Sequence, residues 1–437
     1  MGKRLVITEK PSVARDIADA LGGFTEGEES LESEDFVITW AIGHLLELAE
    51  PREYDAKWRS WSIKLLPILP ESFQLRPKDG QKKRLAYIKK LGKKKDTIGV
   101  INACDAGREG ELIFRRIVEY CELEGQPQER LWLQSMTKQS IRDAFDNLRP
   151  GTDLENLADA AYLRSVGDWL VGMNATRALT QRLKSGRVSQ SWSAGRVQTP
   201  TLNLVVRRER EILAHTPRPY WELLADFTHA EGDGQQWQGR YHDAAAAKAS
   251  DDPEMKASRI FDRAIVDQLM AEIEKAKTGL ASEKRKKSTQ KPPLPFDLTS
   301  LQREANRRYS MSAKRTLGAA QKLYADLKVI TYPRTDSRHL PDDYAPTIDQ
   351  ILASLQGLPK GDWSEHAGIA QRVQNAGPEN LGRVLDSTKV SDHFAIVPTG
   401  DPLTEPLSGD ALRVFDGGPR GGSHEASQEL ADHQVEH

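Results

Sequence analysis

The chain has 437 residues, with 62 Lys and Arg against 64 Asp and Glu and a net charge of -2; that length suggests roughly three or four domains. Hydrophobic residues are 38% and charged residues 29%, a soluble balance, and no apolar run approaches the roughly 18–20 residues a bilayer needs. The apolar core Leu5–Ile7 is too short for a signal peptide, Val6 breaks a myristoylation pattern, and two cysteines, Cys104 and Cys121, exclude a disulfide framework or zinc ribbon and suggest a reducing cytoplasm.

Residues 1–150 predict alternating strand and helix: strands at Arg4–Thr8, Phe36–Ile42 and Ile98–Cys104, with helices around Val13–Leu21 and Glu111–Cys121. This rhythm predicts a mostly parallel sheet. Residues 151–214 read as helices, with Tyr162, Val166, Trp169, Leu170 and Met173 on one stripe. Alternation in Trp221–Phe227, a turn at Glu231–Gly234 and the run Trp237–Tyr241 predict a hairpin. Residues 276–296 are basic and then Pro-rich, as in a linker. Two helices follow, the second capped by Ser312, and then a strand-like run Val329–Tyr332. Residues 417–437 lose apolar periodicity and predict a disordered tail.

Glu9 and Asp105 fall at the carboxyl ends of predicted strands, where ligands of open α/β sheets gather. With Glu109 they would make an oxygen site suited to Mg²⁺. The same acids could instead cap the helix that follows and favour its dipole. Tyr332, Arg334 and Asp336 would share one face of an extended segment by its period of two. Two basic runs, Lys82–Lys95 and Lys284–Lys287, could attract a polyanion or simply be solvated.

Glu9-Lys10-Pro11 together with Asn102-Ala-Cys-Asp105-Ala-Gly107-Arg108-Glu109-Gly110-Glu111 resembles a Toprim domain, with Gly107 where such domains place a second Asp. Ile330-Thr-Tyr332-Pro-Arg334-Thr-Asp336-Ser337-Arg338 resembles the nucleophile segment of type IA DNA topoisomerases. Ser193-Ala-Gly-Arg196-Val-Gln198, Ala161 to Arg177, and Lys389-Val-Ser-Asp-His393-Phe-Ala-Ile-Val-Pro398 resemble further blocks of that family, in family order. Trp58, Trp61 and Pro293–Asp297 bring it nearest to topoisomerase III.

The resemblance implies a multidomain α/β plus α plus β chain. A Toprim domain (1–150), a helical DNA-groove domain (151–214), a β-rich arch (215–278) and a winged-helix-like tyrosine domain (279–400) would form a torus. Residues 401–416 would start a return into the arch, and 417–437 would be an aberrant tail, from truncation or a frame change, leaving the torus incomplete. It implies ATP-independent cleavage of one strand, passage of another and resealing, relaxing negative supercoils or decatenating DNA.

In that scheme Tyr332 is the nucleophile, Glu9 the general acid, and Lys10 and Arg334 the phosphate braces. Mg²⁺ would sit on Glu9, Asp105 and Glu109. Arg164, Asp168, Arg177, Ser193, Arg196, Gln198 and His393 would meet DNA. The implied partners are single-stranded or negatively supercoiled DNA and a helicase, acting on a cytoplasmic monomer without ATP or membrane. A catalytically impaired remnant that binds single-stranded DNA is the competing expectation, raised by Gly107 and the tail.

Overall fold

The computed structural model describes residues 2–183, 190–229, 234, 236–276, 278–282, 291–358, 364–377, 381–403 and 406–417. The basic run Lys284–Lys287, the turn at 231–233 and the tail beyond 417 lie outside the described residues. These residues fall into two compact units, Met1–Pro200 with the chain from Pro292 onward, and Thr201–Lys291.

The first unit is built on a seven-stranded sheet. In chain order its strands are β1 (Lys3–Thr8), β2 (Thr25–Glu26), β3 (Leu31–Glu32), β4 (Phe36–Trp40), β5 (Thr97–Ala103), β6 (Gln128–Arg130) and β7 (Arg149–Pro150). The spatial order is β2-β3-β4-β1-β5-β6-β7. The four central strands pair in parallel, and the edges pair antiparallel. The sheet is therefore mixed, because its short edge strands carry too little pattern to be read from sequence.

Side chains alternate between faces, so Leu5 and Ile7 join one core with Val100, while Val6 joins the other with Ile38 and Ile101. The helices α1 (Pro11–Leu21) and α4 (Lys138–Asp146) cover the second face. The helices α2 (Lys82–Gly92) and α3 (Arg108–Tyr120) cover the first. Burial on both faces explains why the central strands read as continuous apolar runs.

The helix α5 (Glu155–Leu183) runs 29 residues. Its expected stripe holds in part: Trp169 is buried with Val166, Leu170 and Met173 around it, while Tyr162 is exposed. Asn174 clamps the loop at Ile68, accepting from its N–H at 2.6 Å and donating to its carbonyl at 3.0 Å.

The tyrosine-bearing part starts with the helices Leu298–Tyr309 and Ala313–Ala325, with Ser312 capping the second as expected. Wing strands are reduced, among the described residues, to the isolated bridges Phe296↔Ile396, Ile330↔Pro398 and Leu340↔Leu385.

The second unit differs from the β-rich expectation. Its described residues hold one antiparallel pair, Leu224–Thr228 with Gln236–Arg240, against the helices Ala244–Ala249 and Arg263–Ala276. The stacked rings of Phe227 and Trp237, 5.7 Å apart, join the two strands. Alanine-rich and 3.6-period sequence in the remainder favours helix.

Candidate functional site

Strand β1 ends at Thr8, which places Glu9 and Lys10 at its carboxyl end, with Lys10 at the N-cap of α1. Strand β5 ends one residue before Cys104-Asp105. The parallel pairing of the two strands brings these ends together: Lys10 Nζ lies 3.0 Å from Asp105 Oδ2. Gly110 lets the first turn of α3 close over this loop, because a Cβ there would collide with the Asp105 carbonyl oxygen.

A buried network fixes the loop from below. The Arg130 guanidinium, 1% exposed, donates to the carbonyls of Asn102, Cys104 and Asp105 at 3.1, 2.8 and 2.6 Å. Asn102 Nδ2 donates to the buried Glu111 carboxylate at 2.8 Å, which also accepts from Arg115 at 2.9 Å. Burying these charges is tolerable only because they are paired. Sequence reading missed this role for Asn102, Glu111 and Arg130, although Glu111 falls on the buried stripe of α3.

The tyrosine arrives on an extended segment, and the expected alternation holds. Thr331, Pro333, Thr335 and Ser337 are buried, while Arg334 and Asp336 face out and Tyr332 is half-buried. The inward hydroxyls join this segment to residues 389–397. Thr331 Oγ1 donates to the Ala395 carbonyl at 2.8 Å, Thr335 Oγ1 to the His393 carbonyl at 2.9 Å, and Ser337 Oγ to the Lys389 carbonyl at 2.9 Å. These bonds hold the His393 ring 4.3 Å from the Tyr332 ring.

Both halves converge on Asp105. His393 Nε2 lies 3.3 Å from Asp105 Oδ2, and Lys10 Nζ sits 4.3 Å over the Tyr332 ring. Tyr324 closes the other side, edge-on to Tyr332 at 5.2 Å. Arg334 projects from the same face, and the Gln321 amide, assigned with its oxygen facing the guanidinium, accepts from Nη2 at 2.9 Å.

The neighbouring acids are pushed in opposite directions. Burial first, and then the Asp105 carboxylate, push the Glu9 carboxyl up to about 7, against the pull of Lys10. Burial would also raise Asp105, but the His393 hydrogen bond and the Lys10 charge outweigh it and hold Asp105 well below the usual carboxylate range. Burial opposes the charge on Lys10, yet Asp105 and Glu9 together hold its ammonium above its ordinary value.

Glu109 is drawn aside, with Arg164 Nη1 at 3.1 Å and His44 Nε2 at 3.4 Å. Asp168 pairs with Arg196 Nε at 2.8 Å, so Arg164 and Asp168 engage other residues rather than each other. Arg196 is exposed at the turn before α6 (Gln198–Leu213). Gln198 reaches Ser193 Oγ at 3.4 Å, and Ala194 is tied to Thr176 of α5. Arg177 departs from the DNA-facing expectation. It is 6% exposed and donates to the Trp58 carbonyl at 2.7 Å, holding the Trp58–Trp61 loop. The basic run at Lys82–Lys95 is also engaged in part: Arg84 is buried on Trp40, Thr39 and Glu29, and Lys89 and Lys93 pair with Glu122.

Among the described residues, no three His, Cys, Asp or Glu side chains already form a metal cage. The donor chemistry nevertheless fits Mg²⁺, which takes hard oxygens and keeps several waters. Glu9 and Asp105 adjoin, and a Cβ at Gly107 would collide with the carboxylate of Asp392, which occupies that cradle. Sequence reading missed Asp392, although it is the residue before His393.

Comparison with known proteins bears on this arrangement. Residues 4–135 match the family described as Toprim domain, and residues 153–417 match the family described as DNA topoisomerase. The chain is 37% identical to DNA topoisomerase 3 of Bacillus subtilis over 417 residues, covering 95% of this chain and 54% of that protein. It is 38% identical to DNA topoisomerase 3 of Bacillus licheniformis over 403 residues, covering 92% and 52%. Full-length topoisomerase I from Thermotoga maritima shares the fold, with a TM-score of 0.52 at 22% identity, over 90% of this chain and 55% of that one. The chain spans about half the length of the curated relatives it matches.

Proposed function

The chain belongs to the DNA topoisomerase family, as a type IA member close to topoisomerase III, and on that premise we propose that it cuts one DNA strand at Tyr332 and reseals it without ATP. The observation that carries this reading is that Lys10 and His393, which both pack against the Tyr332 ring, converge on Asp105, with a carboxyl at Glu9 held up to about 7.

The Tyr332 oxygen attacks the scissile phosphorus. A tyrosine O–P bond forms as the bond to the DNA 3′-oxygen breaks, giving a 5′-phosphotyrosine ester that conserves the bond energy. The phenol releases one proton to solvent water and the 3′-oxygen receives one from an acid, which water then reprotonates, so the exchange is neutral overall. Glu9, half-protonated near neutral pH, donates that proton. Lys10 sets a positive charge at the tyrosine, and Arg334 projects from the same face to brace the phosphate. His393, already fixed against Asp105, contacts the same phosphate group. Resealing runs the steps in reverse, with Glu9 taking the proton back from the 3′-hydroxyl.

Glu9, Asp105 and Glu109 are the residues that would hold Mg²⁺, which when bound supplies positive charge to the phosphate beside the break. Exposed Arg164 and Arg196, with Ser193, Gln198 and Asp168 around them, form the surface that would grip the single strand.

Trapping tests this reading. Tyr332→Phe is expected to abolish the covalent protein–DNA adduct while single-strand binding persists. A parent chain that binds but yields no adduct would contradict cleavage and leave a binding protein only.

A further inference from the structure

We infer that Asp392 supplies the carboxylate that Gly107 lacks in the metal site, and does so only while the tyrosine segment lies against the Asp105 loop. The inference rests on the reading of Glu9, Asp105 and Glu109 as the Mg²⁺ site, and deepens it.

Gly107 has φ of -166°, extended backbone that any residue adopts. Conformation therefore does not require glycine there. The Asp392 carboxylate, the movable end of its side chain, stands where a Cβ would be, so a side chain at 107 would displace it. Sequence neighbours on both sides tether it. The Val390 carbonyl accepts from Gln134 Nε2 at 2.8 Å, and the Ser391 carbonyl from the same nitrogen at 3.3 Å. On the other side His393 contacts Asp105 at 3.3 Å. Residue 392 is thus held at the edge of the Asp105 loop by the Toprim part of the chain, although it belongs to the segment that carries Tyr332.

Two consequences follow. The acidic set regains a hard-oxygen ligand, which raises affinity for a divalent cation. That ligand leaves whenever the tyrosine segment swings away, so the cation binds the closed arrangement more tightly and, by reciprocity, favours closure. A protein with its second Asp in the Toprim loop itself would lack this coupling. The rival role for Asp392 is electrostatic support of the α3 N-terminus, which it also faces.

The experiment measures Mn²⁺ binding to the full chain by electron paramagnetic resonance, without DNA. Asp392→Asn is expected to weaken binding about tenfold or more, the scale on which residues around a metal act. Gly107→Ala keeps every carboxylate but puts a methyl group in the cradle, and is expected to weaken Mn²⁺ comparably. Moving the acid back into the loop, with Gly107→Asp and Asp392→Ala together, is expected to restore affinity to within about threefold of the parent. Parent-like affinity in Asp392→Asn overturns the inference, including the case where only thermal stability falls, as the helix-dipole role predicts. A restored pair that binds no better than Asp392→Asn also overturns it. Adduct trapping by the parent in EDTA tests the cleavage reading separately, so failure of one is distinguishable from failure of the other.

Discussion

The two halves of the site are built differently. Glu9, Lys10 and Asp105 stand at the ends of parallel strands buried on both faces, with Ile7, Ile38 and Ile101 all 0% exposed. Tyr332 and His393 stand on extended segments with only isolated bridges between them, joined by the Thr331, Thr335 and Ser337 hydroxyls and by backbone bonds such as Thr331 N–H to the Val397 carbonyl at 2.9 Å. One half is positioned by apolar burial, which is cooperative and resists local change. The other has its own apolar anchors at Val329, Ile330, Ala395 and Ile396, but its two extended segments lie outside any sheet and add hydrogen bonds that each net only about 0.5–1.5 kcal/mol. If Tyr332 is the nucleophile proposed above and must approach and leave the acidic pocket, it belongs on the second kind of support.

The largest expected effect falls in the sheet. Ile101→Ala should cost about 2–5 kcal/mol by the buried volume it removes, and chemical denaturation should show the whole Toprim region losing stability together. Thr331→Val leaves the Ala395 carbonyl and the Val397 N–H without their hydroxyl partner. It should cost about 1–3 kcal/mol, confined by hydrogen exchange to the tyrosine part, with a fall in adduct yield. Equal spread of both losses through the molecule would erase the distinction between the halves.

A smaller effect concerns pH. Burial raises Glu9, so its acid form persists up to about 7. In the proposed scheme cleavage uses that acid form, and the rate should therefore fall as pH rises through about 7, roughly tenfold between pH 6 and pH 8. Glu9→Gln should remove this dependence in single-turnover cleavage. A cleavage rate that climbs across the same window would assign Glu9 the opposite role.

The smallest effect lies where the halves meet. The Asp343 carboxylate accepts from Ser135 and Thr137 hydroxyls, both at 2.9 Å, and from Ser140. Those hydroxyls stand at the start of α4, and Asp343 belongs to the tyrosine part. Asp343→Ala should speed separation of the halves roughly two- to fivefold, the equivalent of one or two weak hydrogen bonds. Fluorophores placed on the two parts would read it, and an unchanged opening rate would show that these contacts do not hold the halves together.

The same contrast explains what could be read from sequence. The central strands and α1 and α3 were legible because burial on one or both faces writes a period into the chain, and Asp105 followed from its strand end. The outward face of Tyr332, Arg334 and Asp336 followed from the period of two. The edge strands were not legible, being two or three residues long. The place of Arg177 was not legible because a basic residue on a helix carries no sign of whether its guanidinium meets solvent or, as here, the Trp58 carbonyl. Asp392 was missed because its meaning depends on an empty position 285 residues earlier. The helix Arg263–Ala276 shows the reverse error: the expectation of a β-rich arch hid a 3.6-residue period that was present in the sequence.

The central claim is that the molecule attacks DNA through Tyr332. Two tyrosines offer themselves, since the Tyr324 ring lies 5.2 Å from that of Tyr332. The direct measurement is to quench the parent chain on a single-stranded oligonucleotide, digest the complex and locate the attached nucleotide by mass spectrometry. The account predicts a 5′-phosphate ester on the peptide at Tyr332 and a free 3′-hydroxyl on the released fragment. Attachment at Tyr324, a 3′-phosphate linkage or no adduct at all would contradict it.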